Sequence, residues 1–191
     1  FCRHESALRE AGIHLVGVDR IGAVVTMGTV LRDAGHRRLA VVFEGEGKVY
    51  ADELRGLGLD VTHVAGTTAL PGRPQPPVDS AGDRLIRLHR EAGVTAAIIN
   101  NDLTTAHVLR RLHAEGLRVP ADMSLFCWSG GGLTEALDPP VSTSVLPVER
   151  MTKTALELLG ADAPASRHCF RADLWLRGSH GAVAHADNEG A

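Results

Sequence analysis

Gly22-Ala23-Val24-Val25-Thr26-Met27-Gly28-Thr29-Val30-Leu31-Arg32-Asp33-Ala34-Gly35-His36-Arg37-Arg38-Leu39-Ala40-Val41-Val42-Phe43 changes its apolar period halfway along. Val24, Met27, Leu31 and Ala34 recur near helical spacing, so one face of a helix over 22–34 is apolar. Gly35 stops that helix, since glycine tolerates the left-handed turn after a last helical residue. Leu39 to Phe43 is then an unbroken apolar run, short enough for a strand buried on both faces. A helix feeding such a strand is half of a crossover unit.

The same unit repeats in both directions. Upstream, Ile13–Val18 reads as a strand, and Ser6–Ala11 as the end of a helix closed by Gly12. Downstream, helices are expected at 50–57, 80–92 and 103–115, the last with Val108, Leu109 and Leu112 inward. Ser80 is the expected N-cap of the second. Strands are expected at 60–65, 96–99, 123–128, 144–146 and 174–177. Thr67 to Asp79 holds four prolines and reads as a loop. Pro147 suits the first turn of a helix ending at Leu159. Residues 181–191 are small and polar, a tail expected to be flexible.

Repeated strand–helix units imply an α/β fold, a parallel sheet flanked by helices on both faces. Ligands in such sheets bind outside the carboxyl ends of the strands. That selects four loops: Glu44–Lys48, Gly66–Thr68, Asn100–Asp102 and Ser129–Gly132.

Composition narrows the function. The 191 residues are 44% hydrophobic and carry 20 basic against 23 acidic side chains, a formal charge of -3. A nucleic-acid surface needs clustered Lys and Arg, so none is expected on this chain. Only Lys48 and Lys153 are lysines. The three cysteines, Cys2, Cys127 and Cys169, lack CxxC spacing, which argues against a disulfide framework or zinc site and for a reducing cytoplasm. No apolar run of about 18 residues exists, so no membrane span is expected. Phe1-Cys2-Arg3-His4-Glu5 shows neither an initiator Met nor a secretory leader, and opens inside an apparent helix, as a fragment would.

Five segments in order resemble the LacI/GalR family of bacterial regulators. Gly35-His36-Arg37-Arg38-Leu39-Ala40 resembles its GHRRIA turn. Ala97-Ile98-Ile99-Asn100-Asn101-Asp102 resembles AIFAAND. Gly116-Leu117-Arg118-Val119-Pro120-Ala121-Asp122-Met123-Ser124 resembles G..VPEDIS. Pro139-Pro140-Val141-Ser142-Thr143-Ser144-Val145 resembles PPLTTV. Leu176-Arg177-Gly178-Ser179 resembles the closing VVRGS. The resemblance covers about residues 6–180.

It implies a periplasmic-binding-protein-like fold of two lobes joined by three crossing strands, with the first lobe incomplete. By it, residues 1–36 and 144–162 form a partial N-terminal lobe, and 37–143 with 163–180 the C-terminal lobe. A small effector, often sugar-like, is expected in the cleft, and a homodimer through this core. Operator DNA would be bound only by a helix-turn-helix headpiece upstream, absent here. The whole would be a cytoplasmic transcription regulator, expected to be a repressor, with no cofactor, no metal and no membrane contact. A solute-binding protein serving a transporter shares the fold, and a degenerate, non-binding fragment is a further alternative.

The resemblance also nominates site residues. Asn101 matches a position from which relatives reach ligand, and an amide both donates to and accepts from a hydroxyl; Asp102 beside it is equally an N-cap candidate. Ser129 stands where the family's GYDD loop has a ligand-gripping Asp. Trp128 could stack on a ligand, though a large ring at a strand end is more often core. Thr68 lies in the second strand-end loop. Glu46 falls where the family places an Arg, reversing the charge; Lys48 is the substitute cation, against the plain reading of a solvated lysine. Asp19 lies in Val18-Asp19-Arg20, which matches either of two family motifs that here run together.

An enzyme is not expected. Gly45-Glu46-Gly47 lacks the third glycine of a dinucleotide loop. Cys127-Trp128-Ser129-Gly130-Gly131 lacks the first glycine of a nucleophile elbow. None of the ten histidines has triad or metal spacing, and His36 reads as a structural cap in its turn.

Overall fold

Strands with apolar residues at every position can satisfy both faces only between two layers of helices. The computed structural model, which describes residues 10–65, 80–159 and 164–183, builds that sandwich. In chain order it contains β1 (Leu15–Val18), α1 (Arg20–Asp33), β2 (Arg38–Phe43), α2 (Gly47–Arg55), β3 (Asp60–Ala65), α3 (Ala81–Ala92) and β4 (Ala96–Ile99). There follow α4 (Asp102–Ala114), β5 (Ser124–Cys127), α5 (Gly132–Ala136), β6 (Ser142–Val145), α6 (Val148–Leu159), β7 (Arg167–Phe170) and β8 (Asp173–Trp175).

Six strands form one sheet in the order β3-β2-β4-β5-β6-β8. Its first five members run parallel, with Leu39 opposite Ala96 and Ala96 opposite Ser124. β8 closes the edge antiparallel to β6, with Ser144 opposite Leu174. Successive side chains alternate between faces. Leu39, Val41, Phe43, Ala96, Ile98, Phe126 and Trp128 join Val24, Met27 and Leu31 of α1 and Tyr50 and Leu54 of α2 in one apolar core. Ala40, Val42, Ala97, Ile99, Leu125 and Cys127 face the other way, onto Leu85 and Ile86 of α3 and Val108, Leu109 and Leu112 of α4.

β1 and β7 form a separate two-stranded parallel sheet, with Leu15 opposite Arg167 and Val18 opposite Phe170. α6 packs on β1. The chain passes between this small sheet and the large one three times, around Asp19, around Leu146–Pro147 and around Arg171–Ala172. The first and third passages are tied by the Asp19 N–H donating to the Phe170 carbonyl at 2.7 Å. Val18, Ile21, Leu146, Ala172 and Leu174 lie along these passages and pack on the core that contains Trp128.

Several elements differ from expectation. α1 belongs with the six-stranded sheet, so its residues do not join the first lobe expected over 1–36; its apolar stripe faces β2 and α2. β7 likewise pairs with β1, although 163–180 was expected in the second lobe. No apolar run marks β7, Arg167-His168-Cys169-Phe170, which is defined by its partner strand. α5 is a single short helix inside an expected loop. β8 is antiparallel in a sheet expected to be parallel.

The start of the expected flexible tail is held in place. His36 is 2% exposed and is a buried tie, where a cap was expected. Its Nε2 donates to the Gly181 carbonyl at 3.1 Å, which places the proton on that nitrogen, and Nδ1 accepts from the Thr95 hydroxyl at 2.8 Å. The Gly181 N–H donates to Ser124 Oγ at 3.1 Å, and the Val183 N–H donates to the Ala34 carbonyl at 3.1 Å. Ser179 donates to the Leu125 carbonyl at 2.6 Å while accepting the Ser142 N–H at 2.8 Å. Residues 184–191 lie outside the described residues. Among the described residues no helix is long and apolar enough to cross a membrane.

Burial, reinforced by the nearby His180, lowers the His36 proton affinity below the ordinary histidine value, against a smaller opposing pull from the Gly181 carbonyl. A depressed folded-state pKa gives stability that is present above about pH 6.5 and lost as pH falls through the folded value. His36→Gln is expected to lower unfolding free energy by roughly 1–3 kcal/mol at pH 7.5 and to flatten its fall toward pH 5. Urea denaturation of both proteins across that range checks this; equal pH slopes would refute the role given to the imidazole.

Candidate functional site

Parallel strands end together, so the loops after β1, β2, β4 and β5 emerge on one side of the molecule, beside the three passages between the sheets. Polar side chains gather there over the end of the core.

Trp128 directly follows β5 and is 8% exposed. Its indole forms part of the core, and its face carries the Arg20 guanidinium, whose carbon stands 5.0 Å from the ring centroid. That separation is within cation–π range. Arg20 begins α1 and reaches Glu46 across a 3.7 Å ion pair. Glu46 sits at the N-cap of α2 but makes no capping hydrogen bond; its Oε2 instead accepts from the Tyr50 hydroxyl at 3.2 Å. Tyr50 packs its ring on Phe43, with centroids 4.7 Å apart. Burial raises the Tyr50 phenol above its ordinary value, and the Arg20 charge opposes that rise while Glu46 adds to it. The Trp128 indole N–H is buried and has no hydrogen-bond partner among the described residues.

The neighbouring strand ends carry the other nominated residues. Asn101 caps α4: its Oδ1 accepts the Thr104 N–H at 2.8 Å, and its Nδ2 donates to Asn100 Oδ1 at 3.0 Å. Asp102 opens that helix, accepts the Leu103 N–H at 2.8 Å and faces Gly131 of the next loop. Ser129 is in the left-handed region at φ 59°. Its strain is held by backbone donations, from Ser129 to Ser144 Oγ at 3.2 Å and from Gly130 to Thr143 Oγ1 at 2.8 Å.

The structure thus gathers some of the nominated residues and leaves others aside. Trp128 joins a cluster, and Asn101, Asp102 and Ser129 line the adjacent strand ends. Asp19 is a helix cap, with Oδ1 accepting the Gly22 N–H at 2.9 Å. Lys48 is exposed on the first turn of α2, and Glu46 rather than Lys48 enters the cluster. Thr68 lies outside the described residues. Arg20 and Tyr50 were not nominated. A signal existed for both: Arg20 lies two residues past a strand end, and Tyr50, the single tyrosine, lies one helical turn after Glu46. Cys127 contributes no reactive group here, since burial pushes its thiol up to about 11.

Two sheets joined by three passages, with a polar cluster at the strand ends beside them, define a domain of the two-lobed α/β class. A family model described as periplasmic binding protein-like domain matches residues 29–179, and the chain belongs to that family. The HTH-type transcriptional repressor CytR of Escherichia coli K12 is 24% identical over 196 residues, covering 89% of this chain and 52% of the repressor. A LacI family transcriptional regulator from Bifidobacterium animalis subsp. lactis superposes with a TM-score of 0.74 at 22% identity, covering 91% of this chain and 66% of that one. Another, from Arthrobacter sp. FB24 in complex with lactose, gives 0.71 at 24% identity, covering 89% and 67%. These likenesses bear out the expected fold. The chain spans no more than about half the length of the curated repressors it matches.

A methyl group added at Gly130 would collide with the Thr143 side chain and with Thr134. Gly130→Ala is therefore expected to cost roughly 1–3 kcal/mol of stability through overpacking. Gly132, with nothing within 4 Å of the corresponding position, is the control. Denaturation curves check the pair; comparable stability of the two alanine variants would show that the loop relaxes freely.

Proposed function

We propose that this chain is the effector-sensing core of a LacI-type transcriptional regulator, and that its effector is a small polyhydroxylated molecule such as a sugar. The observation that carries the reading is the polar cluster of Arg20, Glu46, Tyr50 and Trp128 at the strand ends, beside three chain passages between two sheets. Three linkers let two bodies close on a ligand while keeping their alignment, as a hinge requires. In this reading the described residues 10–18, 146–159 and 164–170 form the small lobe, and 20–65, 80–145 and 173–180 the large lobe. Family membership, repressors among the relatives and a lactose complex among the similar structures support it.

The ligand would be gripped by the cluster and by Asn101, Asp102 and Ser129, and released unchanged, since the domain works as a sensor and not as an enzyme. A ligand shifts a two-state equilibrium only by binding one state more tightly. Lobe closure is the state change, and a homodimer through this core would convey it to operator DNA. DNA contact belongs to a headpiece outside this chain, in keeping with its net charge of -3. The setting is the cytoplasm, where the DNA is.

The test is a thermal-shift and calorimetric panel of neutral mono- and disaccharides, nucleosides and amino sugars on the purified chain. A ligand at 100 times its Kd is expected to add about 2.7 kcal/mol of stability. Trp128→Leu is expected to weaken that binding about tenfold or more. A cooperative melt unmoved by any compound would instead favour a domain that has lost its ligand, and tight sequence-specific shifts of duplex DNA by the chain alone would overturn the division of labour.

A further inference from the structure

We propose that Glu46, Tyr50 and the face of Trp128 form a cation subsite, held in this structure by the chain's own Arg20. Its ligand would bear a protonated amine or guanidinium next to hydroxyl oxygens, as an amino sugar does. This inference rests on the sensing role proposed above and names the ligand class for that same site.

The walls of the subsite all favour positive charge. The Trp128 ring presents its electron-rich face to a guanidinium 5.0 Å from the centroid. Glu46 supplies a full negative charge, and the position of its carboxylate is not set by the backbone amides of the helix it begins, because it makes no capping bond there. It is set by the Tyr50 hydroxyl, which donates to Oε2 at 3.2 Å and so fixes the oxygen that meets the cation. An anion approaching this point would meet a carboxylate and a π face, and the Arg20 cation is already paired with Glu46.

The Arg20–Glu46 pair is a loose tie. The Arg20 side chain is 49% exposed, and its ion pair spans 3.7 Å, longer than a direct charged hydrogen bond. A half-exposed ion pair of that length contributes little, so a ligand cation with additional contacts can displace it. Arg20 is then a displaceable internal occupant, and it sets a threshold that neutral sugars do not overcome by charge.

The experiment uses the Trp175→Phe chain, so that Trp128 alone reports by fluorescence, with and without Arg20→Ala. Methylguanidinium chloride and glucosamine are titrated at pH 7, beside glucose and glucuronate, with circular dichroism confirming the fold of each variant. Methylguanidinium is expected to quench Arg20→Ala saturably and raise its melting temperature, with about tenfold weaker action on the protein that retains Arg20. Glucosamine is expected to gain affinity similarly on removal of Arg20, and Glu46→Gln added to Arg20→Ala is expected to abolish both effects. The proposal is overturned if methylguanidinium leaves Arg20→Ala unmoved. It is overturned, with the sensing role left standing, if glucose or glucuronate binds and Arg20→Ala weakens that binding.

Discussion

The fold depends on the burial of β2, β4 and β5 on both faces. Leu39 to Val42, Ala96 to Ile99 and Leu125 to Cys127 have essentially no contact with solvent. Their peptide groups are satisfied chiefly along the parallel ladder, and their side chains by helices above and below. Charged side chains are thereby kept out of these three stretches. At the carboxyl ends the backbone emerges with Asn101 capping a helix and Ser129 in a strained turn, and there the charged and aromatic cluster forms.

At the opposite ends the problem is closure. A parallel sheet leaves amides and carbonyls unpaired where strands begin, and here the segment 179–183 covers them. Ser179 bridges β5 and β6, and His36 and Ser124 both hold Gly181. One buried imidazole, used as donor on one side and acceptor on the other, joins the turn before β2, the residue before β4 and the closing segment. Burial lowers its proton affinity below that of an ordinary histidine, so this end of the fold is coupled to pH.

The nominated residues show what position along a strand does and does not settle. Trp128, Asn101, Asp102 and Ser129 were legible because a strand's end fixes where the next residues emerge. Asp19 and Lys48 sit at such ends too, yet their side chains answer local demands, a helix cap and solvent. Tyr50 meets Glu46 one helical turn away, a local contact, but the approach of Arg20 to Glu46 and to Trp128 is set by packing between distant segments. The reversal of charge at Glu46, which reads in isolation as the loss of a ligand contact, has its counterpart in Arg20, which stands against it in space.

The sequence by itself determined the alternation of elements, the parallel core and the turn at Gly35, whose φ of 96° suits glycine. Those follow from short-range periodicity and backbone sterics, which act within a few residues. Tertiary structure alone decided which sheet each segment joined. α1 packs on the large sheet, and β7 becomes a strand only because β1 lies beside it, 152 residues away for Leu15 and Arg167. Register between distant strands, and the meeting of Arg20 with Glu46 and Trp128, depend on packing summed over the whole core, which no local window of residues contains.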